Sequence, residues 1–298
     1  MNLSWVSFAR RAAILALLPV ALPALALQDA VFVRASDTSF SRPHDLALAP
    51  GGKVLYVADM GNSVVKALDP DSLRTLGVIG KGELAHPHDL CFDREGRLLV
   101  ADTGNDRVAI YEVSGAQGRL AGEIRDGLGA PEGVAVGPDG RVYVTNTRLA
   151  NLVVFAGGKK VAEVGGPGRG VANLSRPHDV EVDGAGNVYV VDSGNNRVVI
   201  FDRNLAVKRS LLGAPYNFND PKYLFIAGDG TLYVADQHNH RIKIFGAGYL
   251  PLGVIGTESA GSGPGQFDRP EGVLADGERL WVADTYNDRI VLFRLLRK

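Results

Sequence analysis

Six histidines stand in this 298-residue sequence, and three of them share one context: His44, His88 and His178 each directly follow a proline. His86 precedes one of those prolines, and His238 and His240 flank an asparagine. Imidazole is the side chain best suited to ligate zinc or to move a proton near neutral pH. Two comparable prolines, Pro131 and Pro270, are followed instead by Glu132 and Glu271, and a third, Pro221, by Lys222. Two histidines with a carboxylate or a further histidine form a metal site that keeps one coordination position open for substrate. No local spacing such as H-E-x-x-H joins these residues, so any convergence must come from the fold.

Other chemically able residues read as structural. Cys91 lies in the alternating stretch Asp89-Leu90-Cys91-Phe92, the setting of a small buried hydrophobe rather than of an activated thiolate. It is the sole cysteine, so no internal disulfide forms and stability rests on packing. Asp59, Asp102, Asp192, Asp236 and Asp284 recur at equivalent places, followed by Arg107, Arg197, Arg241 and Arg289. A feature that returns in nearly every unit is expected to build the unit. The aspartates should cap turns through backbone hydrogen bonds, and the arginines should bridge neighbouring units.

The elements that position these residues form a repeat. Prolines at Pro43, Pro87, Pro131, Pro177, Pro221 and Pro270 open six segments, spaced by 44, 44, 46, 44 and 49 residues, within the range of propeller blades. Each segment alternates apolar and polar residues in three stretches, with hairpin signals such as Asp139-Gly140, Asp183-Gly184 and Asp229-Gly230. A fourth strand follows in five segments: residues 75–79, 119–124, 160–164, 207–212 and 250–255. The sixth segment ends after three, while Ala30 to Arg34 is a strand without a blade. The expectation is an all-β, six-bladed β-propeller of four-stranded antiparallel blades, its ring closed by the N-terminal strand.

The first residues follow another rule. Arg10-Arg11, an apolar run from Ala12 to Leu22 and Ala24-Leu25-Ala26 have the order of a secretory signal. Residues 1–26 are expected to be that signal and 27–298 a single domain, periplasmic or secreted. The apolar run is short for a span and is broken by Pro19 and Pro23, so no stable membrane anchor is expected. A formal net charge of −1 and the lack of a clustered basic–aromatic patch argue against nucleic acid as a partner.

The stretch Val100-Ala101-Asp102-Thr103-Gly104-Asn105-Asp106-Arg107-Val108 closely resembles the NHL repeat, with near copies at residues 190–198, 234–242 and 282–290. Blade one departs by carrying Val64 in place of the arginine, and blade three by Asn146 and a longer turn, Arg148-Leu149-Ala150-Asn151. The resemblance implies that the residue after each opening proline faces the central channel, on the face where the turns between second and third strands emerge. His44, His88, Glu132, His178, Lys222 and Glu271 then ring one mouth. The exported peptidyl-α-hydroxyglycine α-amidating lyases are NHL-type propellers whose channel zinc is held by three post-proline histidines on alternate blades. Blades two and four match that pattern, whereas blade six offers Glu271 and the third histidine, His44, sits on blade one. The lyase's tyrosine is absent from the corresponding turns of blades three and five, and its disulfides are absent.

Two functions follow. The first is an exported binding module whose mouth takes a small molecule, peptide or protein, with Glu132, Lys222 and His44 as ligand contacts. The alternative is a zinc-dependent lyase or hydrolase with one divalent metal on His88, His178 and Glu271 or His44. Tyr286, His238 and Arg148 are then the candidates for proton transfer or substrate orientation.

Overall fold

The computed structural model describes residues 29–296, so the signal expected at 1–26 lies outside the described residues. Each opening proline converts a connector into the innermost strand of a blade. The residue before it takes the left-handed region in all six cases, φ 48–49° at Arg42, His86, Ala130, Arg176, Asp220 and Arg269. The chain then runs outward through successive antiparallel hairpins.

The strands are β1 (Asp29–Ala35); β2 (Pro43–Leu48), β3 (Leu55–Asp59), β4 (Val64–Leu68) and β5 (Thr75–Ile79); β6 (Pro87–Phe92), β7 (Leu98–Asp102), β8 (Arg107–Ser114) and β9 (Gln117–Ile124); β10 (Pro131–Val136), β11 (Val142–Asn146), β12 (Asn151–Ala156) and β13 (Lys159–Gly165). Then come β14 (Pro177–Val182), β15 (Val188–Asp192), β16 (Arg197–Phe201) and β17 (Val207–Leu211); β18 (Pro221–Ile226), β19 (Leu232–Asp236), β20 (Arg241–Phe245) and β21 (Pro251–Gly256); β22 (Val273–Asp276), β23 (Arg279–Asp284) and β24 (Arg289–Leu296). Each set of four is one sheet, and the sixth sheet runs β1-β24-β23-β22. The N-terminal strand therefore completes the last blade, from Asp29 opposite Leu296 to Ala35 opposite Val291. The fold is the expected six-bladed propeller.

Its core is a ring of seams rather than a centre. One apolar cluster joins Tyr56, Ala58 and Val65 of blade one to Leu98, Val100 and Tyr111 of blade two. Another joins Leu55, Val57 and Leu68 to Trp281, Ile290 and Leu292, closing blade six on blade one. The remaining seams are built alike. Blades pack face to face because a four-stranded sheet has two apolar faces, and only a neighbour on each side buries both.

The recurring aspartates do not cap their own turns. Asp59, Asp102, Asp192, Asp236 and Asp284 accept through Oδ1 the backbone N–H two residues before the opening proline, at 2.6–2.8 Å. Asn146 does the same from Gly129 in blade three. The arginines also depart from expectation. Arg107, Arg197 and Arg289 pair with the aspartate of their own blade at 2.7 Å and donate to carbonyls of the preceding connector. Where Val64 replaces the arginine, Lys66 reaches Asp59 at 3.0 Å instead. Asp and Arg together pin the opening proline in blades two, four and six, with Lys66 and Lys243 serving in blades one and five. Blades are stapled by hydroxyls: Thr103, Thr147, Ser193 and Thr285 donate to the carbonyls of Pro131, Pro177, Pro221 and Pro43, each on the next blade.

Candidate functional site

That pinning sets the six post-proline side chains at one level. His44, His88, Glu132, His178, Lys222 and Glu271 all line one cavity of about 300 Å³ at the channel mouth. Around the ring His44 stands opposite His178, Glu132 opposite Glu271, and His88 opposite Lys222, because blades three apart face each other. The three imidazoles converge, with ring centroids 4.5 Å apart for His44–His88, 6.0 Å for His88–His178 and 6.4 Å for His44–His178.

Hydrogen bonding assigns the protons. His44 Nδ1 lies 2.9 Å from the Arg42 carbonyl, which can only accept, so Nδ1 carries the hydrogen and Nε2 presents a lone pair. That lone pair meets Glu271 Oε2 at 3.2 Å. Burial lowers the His44 pKa to about 4 and raises that of Glu271 to about 7, so the proton between them belongs to the carboxyl. Gln237 Nε2 donates to the other oxygen, Glu271 Oε1. His88 Nδ1 is 2.9 Å from both the His86 carbonyl and Thr103 Oγ1, again leaving Nε2 unprotonated. Burial, then the neighbouring His44, depress its pKa to about 3. His178 Nε2 is 3.4 Å from Glu132 Oε2, while its Nδ1 is buried without a hydrogen-bond partner among the described residues. Burial, then the charge of Lys222, hold His178 well below the usual imidazole range. Glu132 is raised by burial to about 7, against the opposing influence of Thr147 and of the Lys222 charge.

The rim mixes expected and unexpected residues. Tyr286 lines the cavity, 41% exposed, with the Arg269 guanidinium 4.5 Å from its ring centre. His238 lines it too, 3.6 Å from Asp220. Arg148 is not brought to the site: it lies outside the cavity, paired with Asp106 at 3.1 Å. His86 and His240 also lie outside it, the latter accepting from the Arg269 backbone. Gln237, Thr147, Arg176 and Asp220 line the mouth without having been singled out. For Gln237 a signal existed, since blade five carries it where four blades carry a stapling Thr or Ser.

Beneath the histidines, Asp89 accepts from Leu90 and Val134, and Asp179 from Val180 and Leu224, tying each innermost strand to the next blade. Burial, then Asp89, hold Asp45 well above the carboxylate range, so that pair keeps a proton. Cys91 on β6 is partly exposed by area, but burial and the Asp89 carboxylate push its thiol up, so it stays protonated.

As ligands for zinc, His44 and His88 have what a first shell needs: Nδ1 anchored on a carbonyl and Nε2 free. Among the described residues, however, no group of three His, Cys, Asp or Glu stands gathered at ligation distance. His44 and His178 would have to exchange their glutamate contacts for the metal. The donors are of the types zinc takes, and their present contacts hold them apart from one another as a ligand set.

Six four-stranded blades around a polar-mouthed channel define the molecule as a six-bladed β-propeller. The NHL repeat model matches residues 84–111 and 174–201, the opening and first three strands of blades two and four. The chain is thus a six-bladed propeller that carries NHL repeats. It is 28% identical over 191 residues to human NHL repeat-containing protein 3, an alignment covering 59% of this chain and 44% of that protein. The chain thus matches less than half the length of that relative. Among solved structures, virginiamycin B lyase from Staphylococcus aureus superposes with a TM-score of 0.63 at 13% identity, covering 90% of this chain and 99% of that one. A gluconolactonase from Xanthomonas campestris gives 0.66 at 14%, covering 91% and 97%. At these identities the likeness is one of fold.

Proposed function

We propose that the protein is an exported NHL propeller that binds a small polar ligand at the channel mouth. The observation that carries this is the convergence of all six post-proline side chains, every one polar, on one cavity of about 300 Å³. That size is the small end of ligand pockets, and suits a small molecule or a chain end better than a folded surface. Glu132, Lys222 and His44 are the floor contacts. Export rests on the order of residues 1–26; among the described residues no helix is long and apolar enough to cross a membrane. A thermal-shift and NMR screen of small polar molecules tests the reading. Ligands lost in His88→Ala and retained in Arg119→Ala, on the outer face of blade two, support it. Ligands all indifferent to His88→Ala refute it.

The anchored Nδ1 atoms of His44 and His88 favour a second reading, a zinc-dependent lyase or hydrolase. His44, His88 and His178 would hold the ion, with Glu271 as the remaining donor. Zinc supplies a Lewis acid that polarises a carbonyl or activates water. The protein's own residues would do the rest: Glu132 holds a proton available near neutrality, and Tyr286 and His238 orient substrate at the rim. Elemental analysis of protein purified without chelator, with zinc titration of the wild type beside His88→Ala and His178→Ala, decides. Ligating imidazoles must be neutral, and a histidine of ordinary pKa would lose zinc as pH falls through 6.5. With His44 and His88 at about 4 and about 3, the imidazole share of the affinity is expected to persist well below that, while protons compete for Glu271 from about 7 downward. Zinc bound no better by the wild type than by the double variant eliminates this reading.

A further inference from the structure

On the cavity wall made by blades four and five, three basic side chains surround one carboxylate. Arg176 Nη2 lies 3.0 Å from Asp220 Oδ1, with Lys222 Nζ 3.5 Å and His238 Nε2 3.6 Å from Oδ2. Asp220 is buried, and its backbone N–H is held by Asn196 Oδ1. Asp220 is the one carboxylate in ion-pair contact with this guanidinium and ammonium; the other cavity carboxyls that feel the Lys222 charge, Glu132 and Glu271, are raised by burial to about 7 and offset it only in part. The Lys222 side chain is only 11% exposed, yet among the described residues its ion-pair partner is Asp220 at 3.5 Å. That is longer than the roughly 2.7–2.9 Å of a charge-assisted hydrogen bond. A nearly buried ammonium with three donors and one loose partner is costly unless another acceptor arrives.

Three of the residues before the opening prolines, Arg42, Arg176 and Arg269, are exposed arginines, and of these Arg176 lines the cavity. Arg176 can hold Asp220 with one edge of its guanidinium and a ligand with another, since the group carries five N–H donors in a planar fork. Thr147 and Tyr286 add neutral hydrogen-bonding groups beside it.

We infer that the ligand of the mouth is a small anion, a carboxylate- or phosphate-bearing molecule, with its oxyanion group held between the Lys222 ammonium and the Arg176 guanidinium. The inference rests on the reading of the mouth as a ligand site and gives that ligand its chemical class. Asp220 pre-orients both cations, so the anion meets donors already in place.

Sodium acetate and inorganic phosphate, titrated at low ionic strength and followed by NMR against glycerol, test it. The proteins are the wild type, Lys222→Gln, Arg176→Gln, the double variant, Lys222→Arg and His88→Ala, each first shown to melt cooperatively. The wild type should bind at least one anion saturably, and salt should weaken it. Either Gln variant should weaken it roughly tenfold or more, the size of one lost charged hydrogen bond, while Lys222→Arg retains most of it. Saturation by phosphate alone, or by acetate alone, supports the inference and selects the class. No saturable binding of either anion, or equal binding by the double variant, overturns it. A neutral ligand lost in His88→Ala but kept in the double variant overturns the anion while leaving the mouth as a ligand site. Ligands indifferent to every variant overturn the underlying reading as well.

Discussion

Phe32 offers the sharpest test of how the ring closes. It lies on β1 and packs edge-on against Phe293 of β24, with centroids 6.0 Å apart and planes at 83°. Val33, next to it, is 44% exposed and sits at an irregularity in the pairing between Phe32 and Arg34. Full burial of a phenylalanine makes its replacement by alanine cost roughly 3–5 kcal/mol, and Phe32 is half-buried. Half of that, about 2 kcal/mol, is the expected loss for Phe32→Ala. For a domain of this size each kcal/mol lowers Tm by roughly 2–4 °C, giving a drop of about 4–8 °C. Val33→Ala should stay within about 0.5 kcal/mol of the wild type. A chain starting at Ser36 should lose more than Phe32→Ala and should associate, because the β24 edge is then open. Differential scanning calorimetry with light scattering reads both effects. Equal melting of wild type, Phe32→Ala and the truncated chain would show that β1 does not close the ring.

Thr285→Val removes the hydroxyl staple from blade six to the Pro43 carbonyl, buried at 2.8 Å, and should cost about 1–3 kcal/mol in urea unfolding; an unchanged midpoint would deny the staple a role. Glu271→Gln should remove a pH dependence. A carboxyl whose pKa rises on folding from 4.5 to about 7 contributes stability that is full below 4.5 and lost as pH rises through about 7. The variant should therefore gain on the wild type by up to about 3 kcal/mol between those limits, and a constant difference would contradict the buried acid. Protein expressed in a bacterial host should begin near Leu27 on N-terminal sequencing; intact Met1 on soluble cytoplasmic protein would defeat export.

Much of this was legible because a repeat states its rule six times. The prolines marked the start of the innermost strand to the residue in five blades, as at Pro177–Val182, and in blade six that strand begins three residues later, at Val273. The orphan strand at Ala30 to Arg34 found its place on β24. The roles of Asp102 and Arg107 were not legible in detail. Turn and connector are both local to Asp102 in sequence, and only coordinates show that its carboxylate reaches back to Ala85. Arg148 shows the opposite failure: the turn expected to be longer has the same four residues as in the other blades, and it carries Arg148 to Asp106 rather than to the cavity.

What the amino-acid order determined is the blade: alternation, turn residues and opening proline, each set by contacts within a few dozen residues. It also determined that the positions after those prolines are polar throughout. The tertiary structure decided which of them meet. His44 neighbours Glu271 only because the ring closes, joining residues 227 positions apart. The raised pKa of Glu271 and its meeting with His44 depend on burial and on partners from other blades. Protonation answers to the surrounding dielectric and charge, and those exist only once six blades have shut out the water.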